Sequence, residues 1–264
     1  MNQNRSLLSS IPPVVKNLII INLIMWLATL ALPNLLQRWG IEIDLTDVLG
    51  MHYWASEKFN VAQLFTYMFM HSPDYFGHVL FNMFALYMFG SVLEYAWGSK
   101  RFLIYYLITG VGAGIVQQLF WTYEYQPLIS AMNEAIANNS GEVLLPFSEM
   151  LSRNLRFSDL ANFDASSLVL LKEMYLNAPV TVGASGSVFG LLLAFGWLFP
   201  QEKIFLMFIP IPIPARIFVI IYGVAELFLG VARFTGDSIA HFAHLGGMLF
   251  GIILILLWSK KRFR

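Results

Sequence analysis

Six blocks of mainly apolar residues, each close to the roughly 20 needed to cross a bilayer as a helix, run through this chain. They fall at about 15–36, 76–96, 102–122, 182–200, 213–232 and 240–258. The sixth holds F-A-H-L-G-G-M-L-F-G-I-I-L-I-L-L-W and runs into S-K-K-R-F-R. Blocks of this length do not fit the core of one water-soluble domain. In hydrocarbon the backbone must satisfy itself, which leaves helices or closed barrels, and runs this long point to helices. Composition agrees: 58% of the 264 residues are hydrophobic and 12% charged, well away from the half and quarter of a soluble domain. The expected fold is an all-α membrane protein, a six-helix bundle occupying residues 1–264 as a single membrane domain.

An even number of spans puts both termini on one side, and the basic residues say which. Arg5, Lys16, Lys100, Arg101, Lys203, Arg216, Lys260, Lys261, Arg262 and Arg264 fall on the terminal side. Arg38, Lys58, Arg153, Arg156, Lys172 and Arg233 fall on the other, spread over much longer loops. The termini are therefore expected in the cytoplasm. The first apolar block lacks a small-residue cleavage site and reads as a retained span. A compact chain without a targeting extension points to a bacterial inner (plasma) membrane, with the outer face on the periplasm. There is no cysteine, so disulfide and thiolate chemistry are excluded. A formal charge of zero makes no case for nucleic acid as a partner.

Two outer segments need an account. Residues 40–75 contain F-N-V-A-Q-L-F-T-Y-M-F-M-H, too short to cross and too apolar to be solvated, so an interfacial, partly embedded loop is expected. Residues 123–180 form an insertion between the third and fourth spans. It carries Glu124, Glu134, Glu142, Glu149, Asp159, Asp164 and Glu173, and its Leu168, Leu171, Met174 and Tyr175 recur at helical spacing. Short amphipathic helices are expected there. No internal repeat is evident, so the inverted-repeat signature of many transporters is missing.

Polar groups inside lipid are costly and each asks for a reason. His78 and Asn82 lie four residues apart on one face of the second span. Ser185 and Ser187 lie in the fourth span, Glu226 in the fifth, and His241 and His244 at the start of the sixth. A lone intramembrane serine usually back-bonds to its own helix. Here Ser185, His244, His78 and Asn82 all sit a few residues inside the outer ends of their spans. A serine needs a base to become a nucleophile, and histidine is the usual one. The tetrahedral intermediate needs donors around its oxyanion, which Asn and His side chains and the nucleophile's own N–H can supply. No third carboxylate stands out: Asp237 falls in the loop before the sixth span and Glu226 lies deeper in another span. A Ser–His dyad is therefore expected. Gly186-x-x-x-Gly190 and Gly247-x-x-x-Gly251 are close-packing faces that would bring the fourth and sixth spans near enough for Ser185 to reach His244.

At these residues the chain resembles the rhomboid intramembrane serine proteases. The matching pieces are H-V-L-F-N at 78–82, G-A-S-G at 183–186 and A-H-L-G-G at 243–247, in that order. Q-L-F-T-Y-M-F-M-H at 63–71 resembles the family's embedded loop, and E-Y-A-W-G-S-K-R at 94–101 its turn into the third span. The resemblance covers about 15–122 and 180–258. It implies that Ser185 is the nucleophile and His244 the general base, with His78 and Asn82 contributing to the oxyanion hole. It implies a six-span bundle with the serine at the bottom of a water-filled cavity. The implied reaction is hydrolysis of peptide bonds in or near transmembrane segments of membrane-protein substrates, with small side chains preferred at the cleavage position and helices that unwind easily preferred as substrates. Partners are then the lipid bilayer and those substrates, and no cofactor or metal is expected. Three departures stand out. Ala62 and Gln63 stand where some members have an aromatic–arginine pair. Phe189 stands where a tyrosine often stacks on the histidine. The 123–180 segment is longer than the expected loop.

Readings from other classes remain. A catalytically inactive rhomboid-like binding or quality-control factor would usually lack the serine or the histidine, and both are present. A transporter or channel would explain buried His and Glu but not the ordered motifs. His241-x-x-His244 is a possible metal pair by spacing, yet the H-E-x-x-H of a metalloprotease is missing.

Overall fold

The structure, a computed structural model, describes residues 11–154, 160–206, 209–232, 234 and 239–260. Asp237 and the basic residues Arg5, Arg156, Arg233, Lys261, Arg262 and Arg264, with Asp159, lie outside the described residues. Five helices among the described residues are long and apolar enough to cross a membrane: Pro13–Gln37, Phe76–Trp97, Ser99–Asn138, Ala215–Ala232 and His241–Ser259. Ser185–Leu198 is a sixth apolar helix, shorter than the others at 14 residues. The chain is a multi-pass helical membrane protein, and these helices are taken below, in order, as its first to sixth spans.

Glu94 ties the first three spans together at one end. Its carboxylate accepts the backbone N–H groups of Val14 (3.0 Å) and Val15 (2.8 Å), donors that the first turn of a helix leaves without an internal partner. Pro13 occupies the first helical position, where a missing N–H costs nothing. The Ser99 hydroxyl, at the start of the third span, donates to the same carboxylate at 2.6 Å. Second and third spans meet at Gly98, whose φ of +78° suits glycine. The second span is not regular throughout, since Leu86–Gly90 forms a π-helical turn.

The third helix is far longer than its apolar block. It runs unbroken from Ser99 to Asn138, about 60 Å at 1.5 Å per residue, roughly twice the hydrocarbon thickness. Residues 123–138, expected to open the insertion with a separate element, instead continue the same helix beyond its apolar block. The helix stops at Asn139, which takes the left-handed conformation at φ +50°. Beyond it come a 3-10 segment (Gly141–Phe147) and helices Ser148–Asn154 and Ala165–Asn177, so the insertion is helical as expected. Leu168, Leu171 and Tyr175 are buried, but Met174 lies on the exposed face of the same helix. Lys203–Leu206 and Ile209–Pro214, where no strands were expected, pair antiparallel, and the fifth span starts just after them at Ala215.

The apolar outer segment folds back into the bundle. Tyr67, Met68 and Met70 are fully buried, and the Tyr67 hydroxyl donates to the Gly110 carbonyl of the third span at 2.7 Å. Gln63 organises this loop as a neutral amide. Its oxygen accepts from the His52 and Asn60 N–H groups, and its nitrogen donates to the Val48 and Lys58 carbonyls. Met51–His52 pairs antiparallel with Val180–Thr181, fastening the loop to the residues that lead into the fourth span.

Candidate active site

Four short polypeptide features converge on Ser185. The fourth helix begins at Ser185 itself, not at 182, because Gly183 has a φ of +133° that a helix cannot contain. The Gly183 N–H donates to the Tyr67 carbonyl at 3.0 Å, so the embedded loop fixes the turn. As first residue of its helix, Ser185 presents a backbone N–H of the kind that has no intrahelical acceptor. Its side chain is partly exposed, whereas Ser187 is fully buried and donates to the Tyr106 carbonyl of the third span at 2.8 Å. The two serines of the motif thus divide: one cements helices, the other stays partly exposed.

The Ser185 Oγ lies 2.8 Å from His244 Nε2. Small residues allow this. A side chain on Gly247 would run into the Gly186 carbonyl, so the fourth and sixth spans touch backbone to backbone there. The other small residues face a different helix than expected. Side chains at Gly186 and Gly190 would meet Ala113 and Thr109 of the third span, and one at Gly251 would meet the Tyr105 hydroxyl. The third span is therefore the hub against which both partners are pressed, and the Tyr105 hydroxyl also donates to the Gly190 carbonyl at 2.9 Å. Phe189 stacks on the His244 imidazole with ring centroids 4.1 Å apart and planes 7° off parallel, as expected for the position of the stacking ring.

The expectation that no carboxylate reaches the dyad is corrected. His244 Nδ1 is 2.9 Å from Glu226 Oε2, and His241 Nδ1 is 2.6 Å from the same oxygen. All three residues are buried. Glu226 looked too deep because it sits six residues before the end of its helix, roughly 9 Å along the axis. The long glutamate side chain covers the remaining gap. A usable signal was present: a carboxylate in lipid must find partners, and His241 and His244 were the ionisable groups nearest in depth. The three donor atoms lie within 4.8 Å of one another, so they are also the set that could hold a divalent cation.

His78 flanks the other side. Its Nδ1 accepts the Ser72 N–H at 3.3 Å, which leaves the proton on Nε2. That nitrogen packs against Gly183, where a Cβ would stand 2.8 Å from His78 Nε2 and 3.5 Å from Ser185 Oγ. Asn82 is buried one turn further on and donates one amide proton back to the His78 carbonyl at 2.8 Å. His71, just before the second span, sets its ring edge against His78 at 5.0 Å. Burial, reinforced by His78, holds its imidazole down to about 3, so it is a neutral neighbour.

The rhomboid domain profile matches residues 58–135 and 144–261 of this chain. Among curated proteins, an uncharacterized mitochondrial rhomboid protein of Schizosaccharomyces pombe is 26% identical over 70% of this chain and 49% of its own length. The mitochondrial rhomboid protein 1 of Saccharomyces cerevisiae is 28% identical over 69% of this chain and 38% of its own. The chloroplastic rhomboid-like protein 11 of Arabidopsis thaliana is 25% identical over 84% and 65%. The chain thus spans less than two thirds of each of these relatives. Their names place them in organelles, so they lend no support to the bacterial inner membrane expected above. With the domain profile matched over well more than half its length, and with the motif-bearing helices assembled around one serine, this chain belongs to the rhomboid family.

Proposed function

We propose that this protein is a serine endopeptidase that hydrolyses peptide bonds in or near the transmembrane segments of membrane-protein substrates. The observation that carries the proposal is the 2.8 Å contact between Ser185 Oγ and His244 Nε2 at the start of a membrane-embedded helix. In this reading His244 takes the hydroxyl proton as Ser185 Oγ attacks the substrate carbonyl. The oxyanion that forms is met by the Ser185 N–H, by His78 Nε2–H and by the remaining amide proton of Asn82. Protonated His244 then gives its proton to the leaving amine. Water, activated by the same imidazole, releases the acyl group and restores the serine. Membership of a family of intramembrane proteases supports the substrate class, and by that resemblance small residues at the cleavage position and easily unwound substrate helices are favoured. The chain acts as one membrane domain over 1–264, with cytoplasmic termini, the cavity open on the outer side and no cofactor in the reaction.

The test is labelling of the purified protein by a fluorophosphonate, run beside cleavage of single-span membrane substrates in proteoliposomes. Both should occur in the parent protein and both should vanish in Ser185→Ala. A His244→Ala variant should lose as much as the double variant, since the two residues act as a unit. Substantial proteolysis by Ser185→Ala would overturn the assignment. A parent protein that binds transmembrane helices but neither labels nor cleaves would identify the inactive binding factor instead.

A further inference from the structure

We propose that Glu226 is a positioning residue for His244, and that His241 is the second donor that makes an ionised carboxylate tenable at that depth. The proposal deepens the protease reading and rests on it for its kinetic consequence, but its structural core stands on three distances. Glu226 Oε2 is 2.9 Å from His244 Nδ1, the same oxygen is 2.6 Å from His241 Nδ1, and His244 Nε2 is 2.8 Å from Ser185 Oγ.

The chemistry follows from what each atom can do. An ionised carboxylate only accepts, so both Nδ1 atoms must carry hydrogen. A neutral imidazole protonated on Nδ1 has its lone pair on Nε2. His244 is thereby held in the tautomer whose free lone pair points at the Ser185 hydroxyl. Phe189 fixes the plane of the ring and Glu226 fixes its rotation within that plane. When His244 takes the serine proton it becomes a cation, and the carboxylate 2.9 Å from Nδ1 stabilises that cation through a charge-assisted hydrogen bond.

His241 answers the cost of this arrangement. A buried carboxylate with one donor is expensive, and inside lipid more so. Glu226 is 4% exposed and His241 5%. The bond from His241 is the shorter of the two, and it comes from the helix that also carries His244, one turn away. One rigid helix turn thus presents both donors to a single oxygen, which fixes the fifth span against the sixth at the level of the reacting serine.

The experiment uses the full-length protein in detergent or proteoliposomes. The first readout is the ¹⁵N spectrum of His244 in the parent protein at neutral pH. Hydrogen on Nδ1 with a bare Nε2 is expected; the opposite tautomer overturns the proposal without any variant. The second is the rate of fluorophosphonate labelling of Ser185 in Glu226→Gln, His241→Phe and the parent. Glu226→Gln should label about 10²- to 10⁴-fold more slowly, the order of loss when a catalytic histidine keeps its place but loses its orienting carboxylate. Its KM for a transmembrane substrate should stay close to the parent value while kcat falls. Loss of one hydrogen bond to the charged carboxylate in His241→Phe should cost about 10- to 100-fold. Glu226→Asp, which keeps the charge on a shorter arm, should recover part of the Glu226→Gln loss. A folded Glu226→Gln protein with parent-like labelling and an unchanged His244 spectrum overturns the proposal. Failure of the parent itself to label at Ser185 would count against the protease reading alone, and the tautomer would still decide this one.

Discussion

At Gly183 one hydrogen atom holds the site open. Its φ of +133° is strained for any side chain, and a Cβ would crowd His78 Nε2 on one side and Ser185 Oγ on the other. Gly183→Ala is therefore expected to lose at least about 10²-fold in labelling rate, the scale of a misplaced reacting group, with a stability loss of only about 1–3 kcal/mol. A variant with parent-like labelling would show that the turn tolerates a methyl group and that His78 does not press on it. The two oxyanion candidates separate at the same scale. His78 has Nε2–H against the Gly183–Ser185 turn, whereas Asn82 has already committed one amide proton to the His78 carbonyl. His78→Ala should lower turnover by about 10²–10³, the usual cost of one such donor, and Asn82→Ala by less. Equal and unimpaired turnover in both would remove the second span from the site. The residues themselves were legible in the sequence because polar groups in lipid are conspicuous. The bond to Glu226 was harder to read, because spacing along one helix does not fix depth in another, and only the general need of a buried carboxylate for partners pointed to His241 and His244.

At the scale of elements, contact between the fourth and sixth spans rests on the absence of one side chain. A methyl group at Gly247 has no room beside the Gly186 carbonyl, so Gly247→Ala must push the helices apart. Overpacking of this kind costs about 1–3 kcal/mol, and the Ser185–His244 distance grows with it. Thermal stability and labelling should fall together; a stable, fully labelled variant would refute the close approach. A second element-scale test lies at the far end of the bundle. Glu94→Gln keeps the shape of the side chain but removes the charge from three hydrogen bonds that join the first three spans. It should cost about 2 kcal/mol in thermal unfolding and leave labelling at low temperature unchanged. Spans were legible from sequence because hydropathy reports immersion. Helix length was not: Glu124, Gln126, Asn133 and Glu134 end the apolar run at about residue 122 without ending the helix, which needs only helical backbone and good enough neighbours. The pairing of Lys203–Leu206 with Ile209–Pro214 was hidden for a related reason, since I-P-I-P-I-P reads as a break and not as a strand edge.

At the scale of the molecule, the insertion braces the bundle from one side. Its helix Ala165–Asn177 buries Leu168, Leu171 and Tyr175, and its Lys172 ammonium donates to Asn133 of the prolonged third helix at 2.7 Å. At its end Asn177 accepts from Ser56 at 2.5 Å and donates to Glu57 at 2.9 Å, and the strand Val180–Thr181 then pairs with Met51–His52. Tyr53, Trp121, Tyr125 and Tyr175 form a chain of ring contacts that links loop, third span and insertion. These contacts bear on the loop and turn that hold Gly183 and on the third span, the hub of the site. A brace and a lid make opposite predictions. Leu168→Ala removes a fully buried side chain and should cost about 2–5 kcal/mol. Replacing residues 126–176 with a Gly/Ser linker should cost more still, because it removes the end of the third helix beyond Tyr125 together with the Tyr175 ring that packs on Tyr125. For a brace, both variants unfold at lower temperature, yet well below that temperature they label Ser185 and rank a panel of single-span substrates as the parent does. For a lid, small-probe labelling is unchanged or faster while the ranking of substrates shifts. The contacts favour the brace, since they converge on the 51–57 loop and the extended helix; a linker variant of parent-like stability with altered substrate preference would overturn it.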